Sequence, residues 1–329
     1  MNMMPPFDPE AQQLEALAVK AELGAIQSAE LVKRRNDVWR IQADSGTFFL
    51  KAYTKDWYGD DLIATSGCVV HELAAYQILE TYGLPVPVLR WGDLNGDVVN
   101  RPALLLSALP GLPLTEALAK FPEDAAELLW QVGTFLRQMH TVTFLYPGYL
   151  MTLAGPVNAP ELETWHHPLW TLERMEQVAL ETLKEALPEA LRQQLTRQFA
   201  GLALALAPAY NPPRFTHGDC HASQFFLSHG LQGWQVTGVL DLEVASAGAA
   251  EADFVQLALE LRHGAADLAW WTPLFEGYGQ PPDFERLRLW LLAASRASWE
   301  AHGPVAWPAP LIHTLAARTW ADLFAPALP

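Results

Sequence analysis

Two neighbouring segments of the chain concentrate the side chains whose types and spacing could do chemistry. The first segment places four polar side chains within eight positions: His217, Asp219, His221 and Gln224. An apolar run typical of a short buried strand follows, then a turn-rich segment and a second β-like run that ends at Asp241. A hairpin of these two runs would bring both acids and the amide together. Such a convergence suits a divalent cation held by oxygen ligands beside a positioned carboxylate.

The segments that precede this motif supply a lysine and a glutamate. Residues 29–53 predict a β-hairpin with its turn at residues 44–46. Lys51 lies in the second strand, which is otherwise apolar, so its ammonium needs a partner or an anion to offset desolvation. Residues 69–82 predict a helix with Glu72 near its start, and the residue pattern alone leaves open whether Glu72 faces solvent or pairs with Lys51.

The remaining periodicity predicts more helix than strand. A first helix over residues 8–24 would be capped by Asp8. A continuous apolar strand at residues 103–106 runs into a loop, and we place a boundary near residue 107, with domains at 1–107 and 108–329. Further helices are predicted at residues 124–140, 170–187, 189–207, 253–262 and 284–302.

Composition limits the classes of function. The chain has 329 residues, half of them hydrophobic and 18% charged, which is typical of a globular protein with sizeable cores. Its net charge of −16 disfavours nucleic acid and anionic membranes as partners. Two cysteines without a CxxC pair favour a reducing, cytoplasmic setting, and we interpret Cys220 as a buried structural side chain. No secretory signal and no membrane-spanning run is apparent in the sequence.

The motif His217-Gly218-Asp219-Cys220-His221, followed by a hairpin and Asp241, resembles the catalytic and metal loops of the aminoglycoside phosphotransferase family of small-molecule kinases. That family has His-Gly-Asp-x-His-x-x-Asn and then an Ile-Asp-Trp/Phe-Glu type segment. Lys51 in Phe-Leu-Lys and Glu72 on the next helix extend the resemblance, which runs from about residue 36 to residue 253. It implies a two-lobed α+β fold of the protein-kinase type, with a small β-rich lobe, a larger helical lobe and ATP between them.

The resemblance also implies a role for each matching residue. Asp219 falls on the catalytic acid, and His221 stands where contact with the γ-phosphate is expected. Asp241 and Gln224 fall on the positions that hold Mg²⁺, while Lys51 would bind the α and β phosphates and be oriented by Glu72. The remaining matches to the nucleotide site are Asn36, before the second strand, and the hinge that would hydrogen-bond adenine, Ser107, Ala108 and Leu109.

The expected substrate is a hydroxyl of a small molecule. The acids Glu243, Glu251 and Glu260, which lie near or after Asp241, favour a cationic, amine-bearing substrate. With 13 tryptophans in the chain, core packing accounts better for any one of them than cation binding does.

Two departures from the family pattern support a second hypothesis. Gln224 replaces the usual Asn, and no Gly-Asp-Pro follows Asp241. A protein of this fold that binds nucleotide or ligand without catalysis would account for them.

A third hypothesis is a metal-dependent hydrolase, because closely spaced His and Asp side chains can bind zinc. Its ligands would be His217, Asp219 and His221. The sequence offers no further ligand cluster for this site, and the hypothesis leaves Lys51, Glu72 and Asp241 unexplained.

Overall fold

The structure is a computed structural model. It describes residues 7–34, 36–53, 69–153, 155, 212–257, 268–288 and 317–324, together with 189, 190, 193, 197 and 291. The predicted helix at 170–187, most of the one at 189–207, and Glu260 lie outside the described residues.

An antiparallel five-stranded sheet forms the N-terminal part. Its strands are β1 (Ile26–Lys33), β2 (Asp37–Ala43), β3 (Gly46–Ala52), β4 (Leu89–Asp93) and β5 (Ala103–Ser107), in the order β1-β2-β3-β5-β4. The predicted hairpin and its turn are confirmed, because β2 pairs with β3 from Asp37↔Ala52 to Ala43↔Gly46. Every residue of β5 from 103 to 106 is buried, since both faces of the sheet are covered.

Helix α1 (Ala11–Lys20) contributes Leu17 to the core on one face of the sheet, beside Ile41 and Leu105. The predicted helix at 8–24 was too long, and its predicted cap was wrong. Asp8 instead binds Arg34, whose Nη2 lies 2.8 Å from Asp8 Oδ1.

Helix α2 (Val69–Thr81) confirms the helix predicted at residues 69–82. It buries Tyr76 and Leu79 in the core on the other face of the sheet, with Leu104 and Leu106 of β5. The alternation along β5 therefore explains its unbroken apolar sequence: successive side chains serve different cores.

The rest of the chain combines helices with two small sheets. Helix α3 spans Leu114–Lys120, and α4, Ala125–Met139, confirms the helix predicted at 124–140. One sheet has the order β10-β9-β6, with β6 at Leu112–Pro113, β9 at Phe225–Gly230 and β10 at Gly233–Val239. The other has the order β7-β11-β8, with β7 at Gly148–Tyr149, β8 at Arg214–Thr216 and β11 at Ser246–Gly248. The β9–β10 pair is the predicted hairpin between the two polar segments.

Two further helices follow, α5 (Leu268–Tyr278) and α6 (Trp320–Phe324), and residues 254–257 and 284–288 are also helical. Of the helices in the described part of the chain, none has the length and apolar character needed to cross a membrane. The domain boundary near residue 107 stays a prediction.

Glycines allow α4 and α5 to approach closely. A Cβ on Gly133 of α4 would lie 2.0 Å from Leu274 O of α5, and a Cβ on Gly277 of α5 would lie 2.0 Å from Trp130 O. Each helix thus presents its backbone to the other. This contact holds the C-terminal end of α4, and with it His140, in place.

We expect Gly133→Ala to destabilise the protein by about 1–3 kcal/mol, because the added methyl group overpacks the contact and outweighs the roughly 1 kcal/mol gained in helix propensity. Gly230→Ala is the matched control: a Cβ there meets nothing within 4 Å, so we expect a change within about 0.5 kcal/mol. Urea unfolding measures both, and a stabilised Gly133→Ala would contradict the close approach.

Candidate active site

Lys51 lies at the centre of a cluster of carboxylates. It is 8% exposed, and its Nζ lies 2.7 Å from Glu72 Oε2, 2.6 Å from Asp241 Oδ1 and 2.8 Å from Glu243 Oε2. Strand β3, helix α2 and the segment after β10 each contribute to this group, which we call the Lys51 cluster (Lys51, Glu72, Asp241 and Glu243). The expected pairing of Lys51 with Glu72 is present.

Glu72 is fixed from several sides. It is 1% exposed, so the solvent-facing alternative is wrong. Tyr76 donates to its Oε1 at 3.0 Å, and Tyr53 donates to its Oε2. Burial and the Glu72 carboxylate raise the pKa of both tyrosines well above the ordinary value, which keeps them protonated as donors.

Charge within the Lys51 cluster sets the ionisation of its members. Burial alone would lower the pKa of Lys51, but the surrounding carboxylates, Glu72 first among them, raise it well above the ordinary value. Burial would raise the pKa of Asp241, yet the Lys51 ammonium outweighs burial and lowers it to about 2. Burial raises the pKa of Glu243 despite Lys51. At neutral pH one buried ammonium therefore faces more than one carboxylate.

Asp241 and Gln224 lie together, as the hairpin predicts. Gln224 Nε2 is 3.4 Å from Asp241 Oδ2, and Leu240 N donates to Gln224 O at 3.0 Å. Asp241 has a left-handed backbone with φ of +61°, which is uncommon for a residue other than glycine and aims its side chain at Lys51. The exposed Lys33 also approaches, with Nζ 3.9 Å from Asp241 Oδ2.

Residues 217–221 form a loop whose side chains brace one another. His217 is buried; its Nε2 donates to Leu240 O at 2.8 Å, and its Nδ1 accepts from Asp219 N at 3.3 Å. Asp219 remains partly exposed, with Oδ1 3.0 Å from His221 Nε2. The hydrogen bond from His221 lowers the pKa of Asp219, so that its carboxylate is ionised at neutral pH. Cys220 is buried, as expected.

Asp253 holds this loop in place through its carboxylate. Its carboxylate accepts from His217 N at 2.8 Å, Gly218 N at 2.9 Å and His140 Nε2 at 3.1 Å. Gly218 has φ of +84°, and a Cβ there would lie 2.5 Å from Val244 O. Only glycine fits this turn. The hydrogen bond from Gly218 N to Asp253 therefore sets the backbone position of the next residue, Asp219.

Asn36 and Glu243 are joined across the chain. Asn36 is buried, with φ of +59°, and its Nδ2 donates to Glu243 Oε2 at 2.7 Å. The sequence had offered Glu243 and Glu251 as acids for a cationic substrate. The structure pairs Glu243 with Lys51 and Glu251 with Arg286, at 2.8 and 3.3 Å, so neither carboxylate supports that expectation.

The site consists of a buried lysine, a helix glutamate and two loop acids, and a comparison with protein-family models agrees with it. The model of the phosphotransferase enzyme family matches residues 31–290. The chain belongs to this phosphotransferase family.

Solved structures of aminoglycoside phosphotransferases share the protein-kinase-like α+β fold, which confirms the predicted fold class. The GDP complex of aminoglycoside 2'-phosphotransferase-IIIa is 17% identical, with a TM-score of 0.58 over 93% of this chain and 97% of that one. The streptomycin–ATP ternary complex of APH(2'')-IIa is 12% identical, with 0.55 over 97% and 94%. APH(3'')-Id from Streptomyces rimosus is 18% identical, with 0.53 over 90% and 97%. Among curated proteins, none matches the chain.

The hinge expected in this phosphotransferase family follows β5. Ser107 N donates to Val88 O at 2.9 Å and Ala108 N donates to Thr47 O at 3.0 Å, so both amides are already used. Leu109 packs over β10, where a Cβ on Gly238 would lie 2.4 Å from Leu109 Cδ2. The chain thus passes from β5 to β6 close to the sheet that carries Gln224 and Asp241.

The contacts of His217 argue against the zinc hydrolase hypothesis. Both of its ring nitrogens are engaged, Nε2 with Leu240 O and Nδ1 with Asp219 N. A histidine that ligates a metal needs one nitrogen free. Within the described ranges, the group that could share a cation is instead formed by Glu72, Asp241 and Glu243, whose oxygens lie within 4.8 Å of one another. Oxygen ligands of this kind suit Mg²⁺ better than zinc.

We expect Asp253→Asn to destabilise the protein by about 2–4 kcal/mol, because an amide cannot accept all three buried hydrogen bonds. Asp283→Asn is the control, since the carboxylate of the exposed Asp283 accepts from Arg286 N in its own helix turn and asparagine caps as well as aspartate. Urea unfolding compares the two, and equal small losses would refute the anchoring role of Asp253.

We expect Lys51→Met to raise the pKa of Asp241 from about 2 to above its ordinary value of 3.8, because burial then acts without the ammonium. In the wild type, ionised Asp241 contributes stability above pH 4 that is lost as pH falls through about 2. With the folded-state pKa raised, ionisation would instead cost stability, so the deficit of Lys51→Met should be larger at pH 7 than at pH 4.

The measurements are a ¹³C NMR titration of the Asp241 carboxyl and urea unfolding at the two pH values. Lys33→Met is the matched control, because Lys33 is exposed and 3.9 Å from Asp241, and such pairs contribute little. Equal pKa changes in the two variants would contradict the assignment of the shift to Lys51.

Proposed function

We propose that the chain transfers the γ-phosphate of ATP to a hydroxyl of a small molecule. The observation that carries this proposal is the Lys51 cluster in a chain of the phosphotransferase family. In this cluster β3, α2 and the segment after β10 bring Lys51 Nζ within 3 Å of a carboxylate oxygen of Glu72 and of Asp241.

Lys51 would bind the α and β phosphates of the nucleotide. Its ammonium is held by Glu72, and Glu72 is itself held by Tyr53 and Tyr76, so the cation is fixed before nucleotide arrives. Pre-arranged charge of this kind supplies most of the catalysis in phosphoryl transfer. The amides of Ser107 and Ala108 already donate within the protein, so Leu109 would supply the hinge amide that adenine needs.

Asp241 and Gln224 would hold Mg²⁺. The donor set fits, because Asp241 is ionised with a pKa of about 2 and the surplus of carboxylate over ammonium in the Lys51 cluster attracts a cation. When bound there, Mg²⁺ would neutralise phosphate charge. Gln224 offers its amide oxygen if the amide turns from the orientation in which Nε2 faces Asp241.

Asp219 would receive the proton of the substrate hydroxyl. The hydroxyl oxygen bonds to the γ-phosphorus, the bond between that phosphorus and the β–γ bridging oxygen breaks, and ADP leaves. A carboxylate with a lowered pKa is a weak base, so its main contribution is to orient the hydroxyl. His221, whose Nε2 lies 3.0 Å from Asp219 Oδ1, would contact the transferred phosphate.

The substrate is proposed to be a cationic molecule rich in hydroxyls. Solved structures of proteins with this fold include complexes with streptomycin, kanamycin and gentamicin. The net charge of −16 favours the approach of such cations. The side chains that would receive the amino groups are not Glu243 and Glu251, because Lys51 and Arg286 occupy these carboxylates.

A protein of the same fold that binds nucleotide without transferring phosphate is the second candidate. Gln224 favours it, because its side chain is one methylene longer than the usual Asn and contacts Asp241 in the structure.

The deciding experiment is calorimetric titration of a non-hydrolysable ATP analogue, with and without Mg²⁺. We expect Mg²⁺-dependent binding in the wild type, loss of that dependence in Asp241→Ala, and unchanged binding in Asp219→Asn. We expect Asp219→Asn to lower the rate of ADP release about 10²–10⁴-fold, the range for a side chain that orients the hydroxyl and receives its proton.

Each alternative has its own result. Binding that is indifferent to Mg²⁺, with no ADP release from any hydroxyl compound tested, would favour the non-catalytic candidate. Absence of nucleotide binding would refute both. Unchanged turnover in Asp219→Asn would remove Asp219 from the mechanism.

A further inference from the structure

A cavity of 520 Å³ lies apart from the Lys51 cluster, between the end of α4, the start of β8 and the end of α5. Its volume is within the range of small-molecule sites, about 300–1,000 Å³. Lys51, Asp219 and Asp241 do not line it. Nothing in the proposed phosphate transfer uses this cavity.

Three arginines from three different segments line the cavity: Arg137, Arg214 and Arg286. Two carboxylates line it as well, but both are engaged within the protein. Glu251 Oε1 pairs with Arg286 Nη1 at 3.3 Å, and Asp283 Oδ1 accepts from Arg286 N at 2.9 Å. We call this space the arginine cavity.

Arg137 is the cation of the cavity that is available to a ligand. It is exposed on the last turn of α4, and no described residue forms an ion pair with it. Gly279 keeps the space beside it open: a Cβ there would lie 3.4 Å from Arg137 Nη1. Among the described residues, Arg214 forms a hydrogen bond through Nη1 alone, which donates to His140 O at 2.7 Å. The cavity therefore offers guanidinium donors in excess of its carboxylates.

Hydrogen bonds connect the floor of the cavity to the loop at residues 217–221. Tyr278 donates to His140 Nδ1 at 2.9 Å, and His140 Nε2 donates to Asp253 Oδ2 at 3.1 Å. Burial and Glu251 raise the pKa of Tyr278, which keeps its hydroxyl a donor. Asp253 in turn accepts from the amides of His217 and Gly218.

We propose that the arginine cavity is a second, non-catalytic site that binds a small phosphate-bearing molecule. Guanidinium groups pair bidentately with phosphate oxygens, and a dianion gains more than a carboxylate from several of them. A phosphate on Arg214 holds that side chain against His140 O, so its binding steadies the chain of hydrogen bonds through Asp253 to Gly218. The site is independent of which reaction the Lys51 cluster performs.

The test is calorimetric titration of inorganic phosphate into the full chain. We expect Arg137→Ala to weaken phosphate binding at least about tenfold, since hydrogen bonds to charged groups contribute about 1.5–3 kcal/mol. Arg137→Lys keeps the charge without the planar fork, so we expect an intermediate loss. Arg137 is exposed and unpaired among the described residues, so these variants keep the fold.

Arg40→Ala is the charge-matched control. Arg40 lies on β2 and pairs with the exposed Glu30, so its removal changes the net charge equally and leaves the cavity intact. We expect phosphate affinity in Arg40→Ala to equal that of the wild type. Equal affinity in Arg137→Ala and the wild type would overturn the proposal by placing the phosphate elsewhere, for instance at Lys51. Absence of phosphate binding in the wild type would overturn it too.

Hydrogen exchange of the peptide that contains Gly218 gives a second readout. Phosphate should slow the exchange of the His217 and Gly218 amides in the wild type and have no effect on them in Arg137→Ala. Phosphate binding at Arg137 without such protection would overturn the connection to the loop. Failure of nucleotide binding would leave both readouts unaffected, which separates this proposal from the proposed kinase activity.

Discussion

A buried ammonium must be matched by carboxylates, and the ammonium of Lys51 is matched by three of them. Glu72 comes from α2, whereas Asp241 and Glu243 come from the segment after β10. Asp241 lies 190 positions after Lys51 in the chain. Breaking a buried ion pair costs about 3–5 kcal/mol because the remaining charge stays desolvated. The Lys51 ammonium must be neutralised by acids after β10. This requirement fixes the position of the N-terminal sheet relative to the β9–β10 hairpin.

A second buried centre fixes the loop that carries Asp219. The Asp253 carboxylate accepts hydrogen bonds from two backbone amides and from His140, which follows α4. Helix α4 is itself held by the close contact of its Gly133 with α5. The two centres meet at Leu240, whose carbonyl accepts from His217 and whose neighbour is Asp241. Displacement of either centre would therefore be transmitted to the other through one residue. This connection explains why the candidate acids lie on short loops without being loosely held.

The chain keeps the phosphotransferase architecture while it changes one of the positions that would hold a metal. Gln224 lies against Asp241 with its Nε2 turned towards the carboxylate, and its side chain is one methylene longer than that of Asn. Lys51 Nζ and Asp241 Oδ1 lie 2.6 Å apart, so each offsets part of the other's charge. If nucleotide and cation bind here as proposed, their charges would replace this contact, and binding would exchange one ion pair for others.

The sequence by itself determined the local elements and the family. Some elements depend only on residues close together in the sequence, and the structure contains them all. They are the alternating strands of residues 37–52, the helices at residues 69–81 and 125–139, and the turn between β9 and β10. The motif around Asp219, with Lys51, Glu72 and Asp241 in order, was sufficient to predict the fold that the comparisons confirm. The sequence did not determine the extent of α1, because Asp8 binds the distant Arg34 and does not cap the helix.

Only the tertiary structure decided how the charges are shared. Glu243 is bound by Asn36 and Lys51, Glu251 by Arg286, and Asp253 by the loop it supports. Three arginines from separate segments meet in one cavity. The partner of a charge is set by which segments pack together, and burial then decides how strongly the pair interacts. The order of residues shows neither which segments pack together nor how deeply a pair is buried. For this reason the sequence predicted most of these residues but not their partners.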